Sequence, residues 1–195
     1  MTLILPPSID DDLLPMIRTC GINAIPGEIS RHRPDLIISI CGDTRDRARA
    51  DGYLADHDVP VLRMNFDDVE RVQSNMIAPS IDAFETLFAD IDQLFPVQPV
   101  GNLLVHCSMG VSRSSATALV AAGHIAKGFY TDLDEATWAR DLVSQFFERQ
   151  PFSAPNQRVL SIGERLLGTL GRHIRKEVQS EMGRPCENGG ILSCP

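Results

Sequence analysis

Apolar residues fall into short unbroken runs separated by longer amphipathic stretches. Leu36-Ile37-Ile38-Ser39-Ile40-Cys41, stopped by Gly42-Asp43, reads as a strand buried on both faces. Val61 to Phe66, after Pro60, and Asn102 to His106 read as two more strands, and Thr2 to Leu5, ended by Pro6-Pro7, as a first one. Leu13 to Cys20 and Gly27 to His32 are expected to form short helical pieces. From Ser80 onward, Ile81, Phe84, Leu87, Phe88, Ile91 and Leu94 share one face of a helix. Ser115 to Lys127 is almost wholly apolar or small, as a buried helix would be, and Gly128 is expected to end it. Asp132 with Glu135 resembles a capping box for a helix that buries Ala139, Leu142, Val143 and Phe146. A last helix after Pro155-Asn156 turns Val159, Leu160, Ile162, Leu166 and Leu167 inward and is expected to stop near Gly171. Such alternation predicts an α/β domain with a largely parallel central sheet flanked by helices.

A chain of 195 residues with 43% hydrophobic content suits one domain, expected over residues 1–172, with a flexible tail over 173–195. The tail expectation rests on Glu187-Asn188-Gly189-Gly190 and the prolines Pro185 and Pro195. The basic stretch Arg172-His173-Ile174-Arg175-Lys176 reads as a solvated helix end. A net charge of −8 speaks against nucleic acid or an anionic membrane as partner. The N-terminal Met-Thr-Leu-Ile-Leu-Pro-Pro lacks a basic leader, and no apolar run reaches membrane-spanning length, so a cytoplasmic location is expected. Five irregularly spaced cysteines (Cys20, Cys41, Cys107, Cys186, Cys194) suggest neither a disulfide framework nor a zinc site. The histidines are scattered, and His124 is expected to be a satisfied core residue.

Chemistry concentrates in Val105-His106-Cys107-Ser108-Met109-Gly110-Val111-Ser112-Arg113-Ser114-Ser115. A strand running into a helix through five small or flexible residues turns backbone N–H groups inward, against the positive end of the helix. That makes a cradle for phosphate. The N–H groups of Ser108, Met109, Gly110, Val111, Ser112 and Arg113 are the expected phosphate donors, with the Arg113 guanidinium as a bidentate clamp. Cys107 would be the nucleophile, since such surroundings can lower a cysteine from about 8.5 to about 3.5–7.5 and so supply thiolate. Ser114 could hydrogen-bond the sulfur and ease its later departure, and His106 is expected to orient the loop by hydrogen bonding rather than act as a base. Arg113 and the cradle would supply the positive field that metals provide elsewhere, so no metal or cofactor is expected.

The His-Cys-x5-Arg-Ser pattern, with Gly110 and Ser112 in place, resembles the signature loop of the cysteine-dependent protein tyrosine phosphatases, in the form of their dual-specificity branch. Phe152-Ser153-Ala154-Pro155-Asn156 before a helix is similar to the Pro-Asn turn of that branch, which makes Asn156 a supporting residue. Phe66-Asp67-Asp68-Val69, then Pro79 and an amphipathic helix, is similar to compact bacterial tyrosine-phosphatase-like proteins. The resemblance runs from about Pro34 to Gly171 and implies a dual-specificity-phosphatase-like fold. Its partners would be a phosphorylated protein or a small phosphomonoester.

Protonating the leaving group is worth on the order of 100- to 10,000-fold. By the resemblance the acid is Asp68, before the aliphatic Val69, with Asp67 as the alternative. Cys107 would attack phosphorus in line to give a phosphocysteine, and Asp68 would then activate water. Because the segment Val72–Ala78 looks like an insertion, the acid sits farther from the cysteine than in many relatives. The resemblance also implies Cys41 as a redox partner of Cys107, against its reading as a buried small hydrophobe. Two other classes stay open: a phosphopeptide-binding module on an inactive fold, and a thiol-redox or arsenate-reductase-like enzyme.

Overall fold

The structure is a computed structural model that describes residues 15–183. The strand expected at Thr2–Leu5 lies outside the described residues. Among the described residues four strands, β1 (Met16–Gly21), β2 (Leu36–Ile40), β3 (Val61–Met64) and β4 (Asn102–Cys107), form one sheet in the order β1-β4-β2-β3. Every neighbouring pair is parallel. Around it lie α1 (Ile25–His32), α2 (Thr44–Leu54), α3 (Ile81–Leu94), α4 (Arg113–Phe129), α5 (Glu135–Arg149), α6 (Gln157–Leu167) and α7 (Thr169–Met182). The chain is therefore an α/β protein with an all-parallel sheet covered on both faces, as continuous apolar strands require. No helix among the described residues is long and apolar enough to cross a membrane.

The pleat divides the core. Leu36, Ile38 and Ile40 of β2 and Leu103, Val105 and Cys107 of β4 join the large cluster with residues of α3 to α7. Ile37 and Leu104 point the other way and pack with Ile25 and Ile29 of α1 and Ala50 and Leu54 of α2. Adjacent strands β2 and β4 thus send their following helices to opposite faces, α2 to one and α4 to the other. In open α/β sheets, such a divergence opens a crevice beyond the strands' carboxyl ends.

Several expected boundaries move. The stretch read as helix over Leu13–Cys20 is strand β1 from Met16, since pairing with β4 from Met16↔Asn102 to Gly21↔Cys107 overrides a weak local pattern. Gly128 lies inside α4, which runs to Phe129. The cap of α5 is Asp134 rather than Asp132: its Oδ1 accepts from the N–H of Ala136 and Thr137, at 3.2 and 3.3 Å. Leu94, expected on the buried face of α3, is exposed. His124 is partnered as expected, with Nε2 2.8 Å from Asp92 and its ring stacked on Phe88.

The largest change is at the C-terminus. Gly168, at φ +67°, ends α6, and the chain turns at once into α7. Gly171 is not a stop but a crossing point, where a Cβ would overlap the Gly163 carbonyl of α6. α7 buries Leu170, Ile174 and Val178, so the boundary expected at residue 172 falls inside a packed helix. Arg175 is half-buried and donates from Nη1 to Glu164 Oε2 at 2.8 Å, rather than forming part of a solvated helix end. Residues 184–195 of the expected tail lie outside the described ones. Ile174→Ala should accordingly lower stability by about 2–5 kcal/mol, read from urea unfolding. An unchanged midpoint would mean that α7 does not contribute to the core.

Candidate active site

β4 is an inner strand, paired on one side with β1 and on the other with β2, so Cys107 ends at the middle of the sheet's carboxyl edge. Ser108–Ser112 then make the turn into α4. The carbonyls of Ser108, Gly110, Val111 and Ser112 have partners outside the turn. Ser108 O accepts from Ile22 N–H (3.4 Å) and Gly110 O from Thr19 Oγ1 (3.4 Å). Val111 O accepts from Ala154 N–H (3.1 Å) and Ser115 Oγ (2.7 Å), and Ser112 O from Asn156 N–H (3.3 Å) and Ala116 N–H (3.1 Å). By contrast, the N–H groups of Ser108, Met109, Val111 and Ser112 donate to no acceptor among the described residues. Ser108, Val111 and Ser112 are half-buried, where backbone donors normally find acceptors, so free N–H groups beside a helix N-terminus form an arrangement that can hold an anion.

Gly110 makes this turn possible. Its φ of +80° is left-handed, and a Cβ there would overlap the backbone of Cys20 and Gly21 on β1. Its N–H donates to Cys107 Sγ at 3.2 Å, and the Cys107 thiol donates to Ser114 Oγ at 3.3 Å. The sulfur therefore sits at the floor of the turn with two hydrogen-bond partners, both able to donate to a thiolate. Arg113 is buried; its Nη1 donates to Phe66 O (3.1 Å) and its Nη2 to Ser108 Oγ (2.8 Å). Those bonds fold the guanidinium back over the turn.

Two aspartates follow β3, and they differ in what they touch. Asp67 ties its own loop: Oδ2 accepts from Ile77 N–H (2.7 Å), its N–H donates to Ile77 O (2.7 Å), and Oδ1 presses on Gly42, where any Cβ would collide with it. Asp68 reaches the turn instead. Its Oδ1 accepts from Ser112 Oγ (2.8 Å) and from Asn156 Nδ2 (2.9 Å). Asn156 is held by its other end, since Oδ1 caps α6 by accepting from Arg158 and Val159 N–H, each at 3.1 Å. One residue thus starts α6, pins the turn's last carbonyl and holds Asp68.

His106 is fully buried, and neither ring nitrogen has a hydrogen-bond partner among the described residues. The hydrogen bond expected to orient the loop is therefore not formed. Burial pushes its pKa down to about 4; the Cys107 backbone opposes this without reaching hydrogen-bond geometry. The ring is neutral packing under the turn. Cys41 lies in the smaller cluster, on the α1 and α2 face, 3.9 Å from Ser39 Oγ, whereas Cys107 belongs to the larger one. Cys20 shares the smaller cluster, and burial raises its pKa to about 12. Cys20, Cys41 and Cys107 are all free thiols.

The sequence reading missed Asp46, whose Oδ2 accepts from Ser108 Oγ. The available signal was positional: Asp46 stands in the first turn of the helix after β2, and β2 ends beside Cys107. Phe66 O, the other anchor of Arg113, carries no side-chain signature at all.

No family model matches the chain, and no curated protein matches it. Among solved structures it is similar to the Yvh1 phosphatase domain from Chaetomium thermophilum, with 19% identity over 91% of this chain and 97% of that one and a TM-score of 0.42. It is also similar to Tk-PTP in the active form, with 14% identity over 80% of this chain and 95% of that one and a TM-score of 0.44. Likeness at this distance leaves the site to be judged on its own geometry.

A neutral buried histidine links stability to pH. In the unfolded chain His106 takes up a proton near 6.5, whereas in the folded state it does so only near 4. The unfolded state binds more protons between those values, so stability is full above about 6.5 and is lost as pH falls toward 4. The contribution is on the order of 3 kcal/mol. Urea unfolding of wild type and His106→Gln across that window should show a shallower slope in the variant. Equal slopes would mean the ring is accessible to protons in the folded protein.

Proposed function

We propose that the chain is a phosphoric monoester hydrolase that works through a phosphocysteine on Cys107. The observation that carries this reading is a turn in which the carbonyls of Ser108, Gly110, Val111 and Ser112 are engaged and the N–H groups of Ser108, Met109, Val111 and Ser112 are left free, beside a buried sulfur and a buried guanidinium. Such an arrangement stabilises charge developing on the equatorial oxygens of a transferring phosphoryl group. The phosphate sits on the N–H groups of Ser108 to Arg113, with the Arg113 guanidinium against its oxygens. Cys107 attacks phosphorus, and the bond to the ester oxygen breaks as Asp68 delivers a proton from Oδ2, its Oδ1 being occupied by Ser112 and Asn156. Asp68 then takes a proton from the water that attacks the phosphocysteine. Ser114, 3.3 Å from the sulfur, donates to the departing thiolate.

The substrate reading is a phosphorylated protein side chain, phosphotyrosine first and phosphoserine or phosphothreonine second. Its support is an apolar rim. Met109 within the turn is 79% exposed, and Phe152, two residues before the Ala154 that bonds Val111, is 75% exposed. Ile77, tied to Asp67, is also exposed. Apolar surface at the mouth of a phosphate cradle favours an aromatic ester over a sugar or polyphosphate.

The test is release of phosphate from p-nitrophenyl phosphate in EDTA. Wild type should turn over at an undiminished rate, while Cys107→Ser and Arg113→Ala should fall to background with unchanged circular dichroism. Substantial activity in the serine variant would sink the nucleophile assignment. In a series of aryl and alkyl phosphates, Asp68→Asn should slow poor leaving groups by on the order of 100-fold or more and good ones far less. If Asp67→Asn shows that pattern instead, the acid is the other aspartate.

A further inference from the structure

We infer that Asp46 is a positioning residue of this site, acting through the Ser108 hydroxyl to hold the Arg113 guanidinium in place for phosphate; the inference rests on the phosphatase reading above. Arg113 is only 7% exposed. Its Nη1 reaches a carbonyl, Phe66 O, and its Nη2 reaches a hydroxyl, Ser108 Oγ, while Nε has no partner. Among the described residues no carboxylate pairs with it directly. A buried guanidinium without a counter-charge is costly. Asp46 supplies one at one hydroxyl's remove, because Ser108 Oγ donates to Asp46 Oδ2 while accepting from Arg113 Nη2.

The direction of that chain is forced. An arginine can only donate, an ionised carboxylate can only accept, and a hydroxyl has a single proton. Asp46 takes the Ser108 proton, so an oxygen lone pair must face Arg113. Without the carboxylate the hydroxyl can rotate, and Nη2 loses a defined acceptor. The Ser108 hydroxyl is also withheld from the phosphate, leaving that residue's N–H to bind it. A carboxylate has the wrong sign to bind phosphate itself, which makes direct substrate contact the poorer account of Asp46.

Asp46 is itself held firmly. Its N–H donates to Asp43 Oδ1 at 2.7 Å in the N-cap of α2, and Ala50 and Leu54 fix that helix to the sheet. A carboxylate in the first turn of a helix is further stabilised by the helix dipole. Three segments therefore converge on one guanidinium: the exit of β3 through Phe66, the turn through Ser108, and α2 through Asp46.

The experiment is a double-mutant cycle with Asp46→Asn, Ser108→Ala and both together. It reads kcat and KM for p-nitrophenyl phosphate and competitive inhibition by inorganic phosphate. Asp46→Asn should lower kcat/KM and weaken phosphate inhibition, each on the order of 10- to 100-fold, because the clamp is misplaced rather than removed. Ser108→Ala should cost about as much, and the double variant should be no worse than either single one. The urea midpoint of Asp46→Asn should fall modestly, since the counter-charge and its dipole interaction are lost, while circular dichroism without urea stays unchanged; a loss of kcat/KM in fully folded protein is not what a purely structural role would give. Additive losses would overturn the relay. So would tighter phosphate binding in Asp46→Asn, which would mark Asp46 as a merely repulsive neighbour. An active wild type with an unchanged Asp46→Asn sinks the positioning role alone. A wild type that neither hydrolyses the ester nor binds phosphate sinks the phosphatase reading and this inference with it.

Discussion

Orientation of the peptide groups between Cys107 and Arg113 is the constraint on which the rest depends. A peptide cannot turn its N–H inward unless its carbonyl finds a partner on the other side. Here those partners come from Thr19 of β1 and from Ile22 just after that strand, from the α5–α6 connection through Ala154 and Asn156, and from α4 through Ser115 and Ala116. Gly110 lets the turn lie against β1 without a side chain in the way. Distant pieces of the chain are thus needed to aim a few N–H groups, and the free donors are a product of the whole fold.

Topology explains why those pieces meet. β4 lies between β1 and β2, and the helices after β2 and β4 go to opposite faces. The carboxyl edge of the sheet between them brings together the first turn of α2, the exit of β3 and the start of α4. Residues from all three converge there: Asp46, Phe66 and Asp68, and Ser108 with Arg113. Asn156 adds a fourth segment, coupling the cap of α6 to Asp68. Stability and geometry are linked at that position, because the side chain that starts a helix also holds the candidate acid.

The parts legible in the sequence were those whose partners are close along the chain or whose period is strong. The turn from Cys107 to Arg113, strands β2 and β4, and the apolar stripes of α3 and α5 are of that kind. β1 was misread because six residues with a mixed pattern say little until β4 pairs with them. α7 was cut short because Gly171 resembles a helix stop in sequence, yet its lack of a side chain serves a close crossing with α6. Asp46 escaped because its partner Ser108 is 62 residues away, and hydrogen bonds of that reach leave no periodic trace. The two aspartates after β3 look alike in sequence; only Gly42 and Ile77 on one side, and Ser112 and Asn156 on the other, tell them apart.

Trapping the covalent intermediate tests the central claim most directly. Wild-type protein mixed with an aryl phosphate and quenched during turnover should carry phosphate on one residue, located by peptide mass spectrometry. The account predicts that residue to be Cys107, with the label forming and decaying fast enough to sustain the measured rate. Phosphate on another side chain, or full turnover with no phosphocysteine formed at a competent rate, would contradict it.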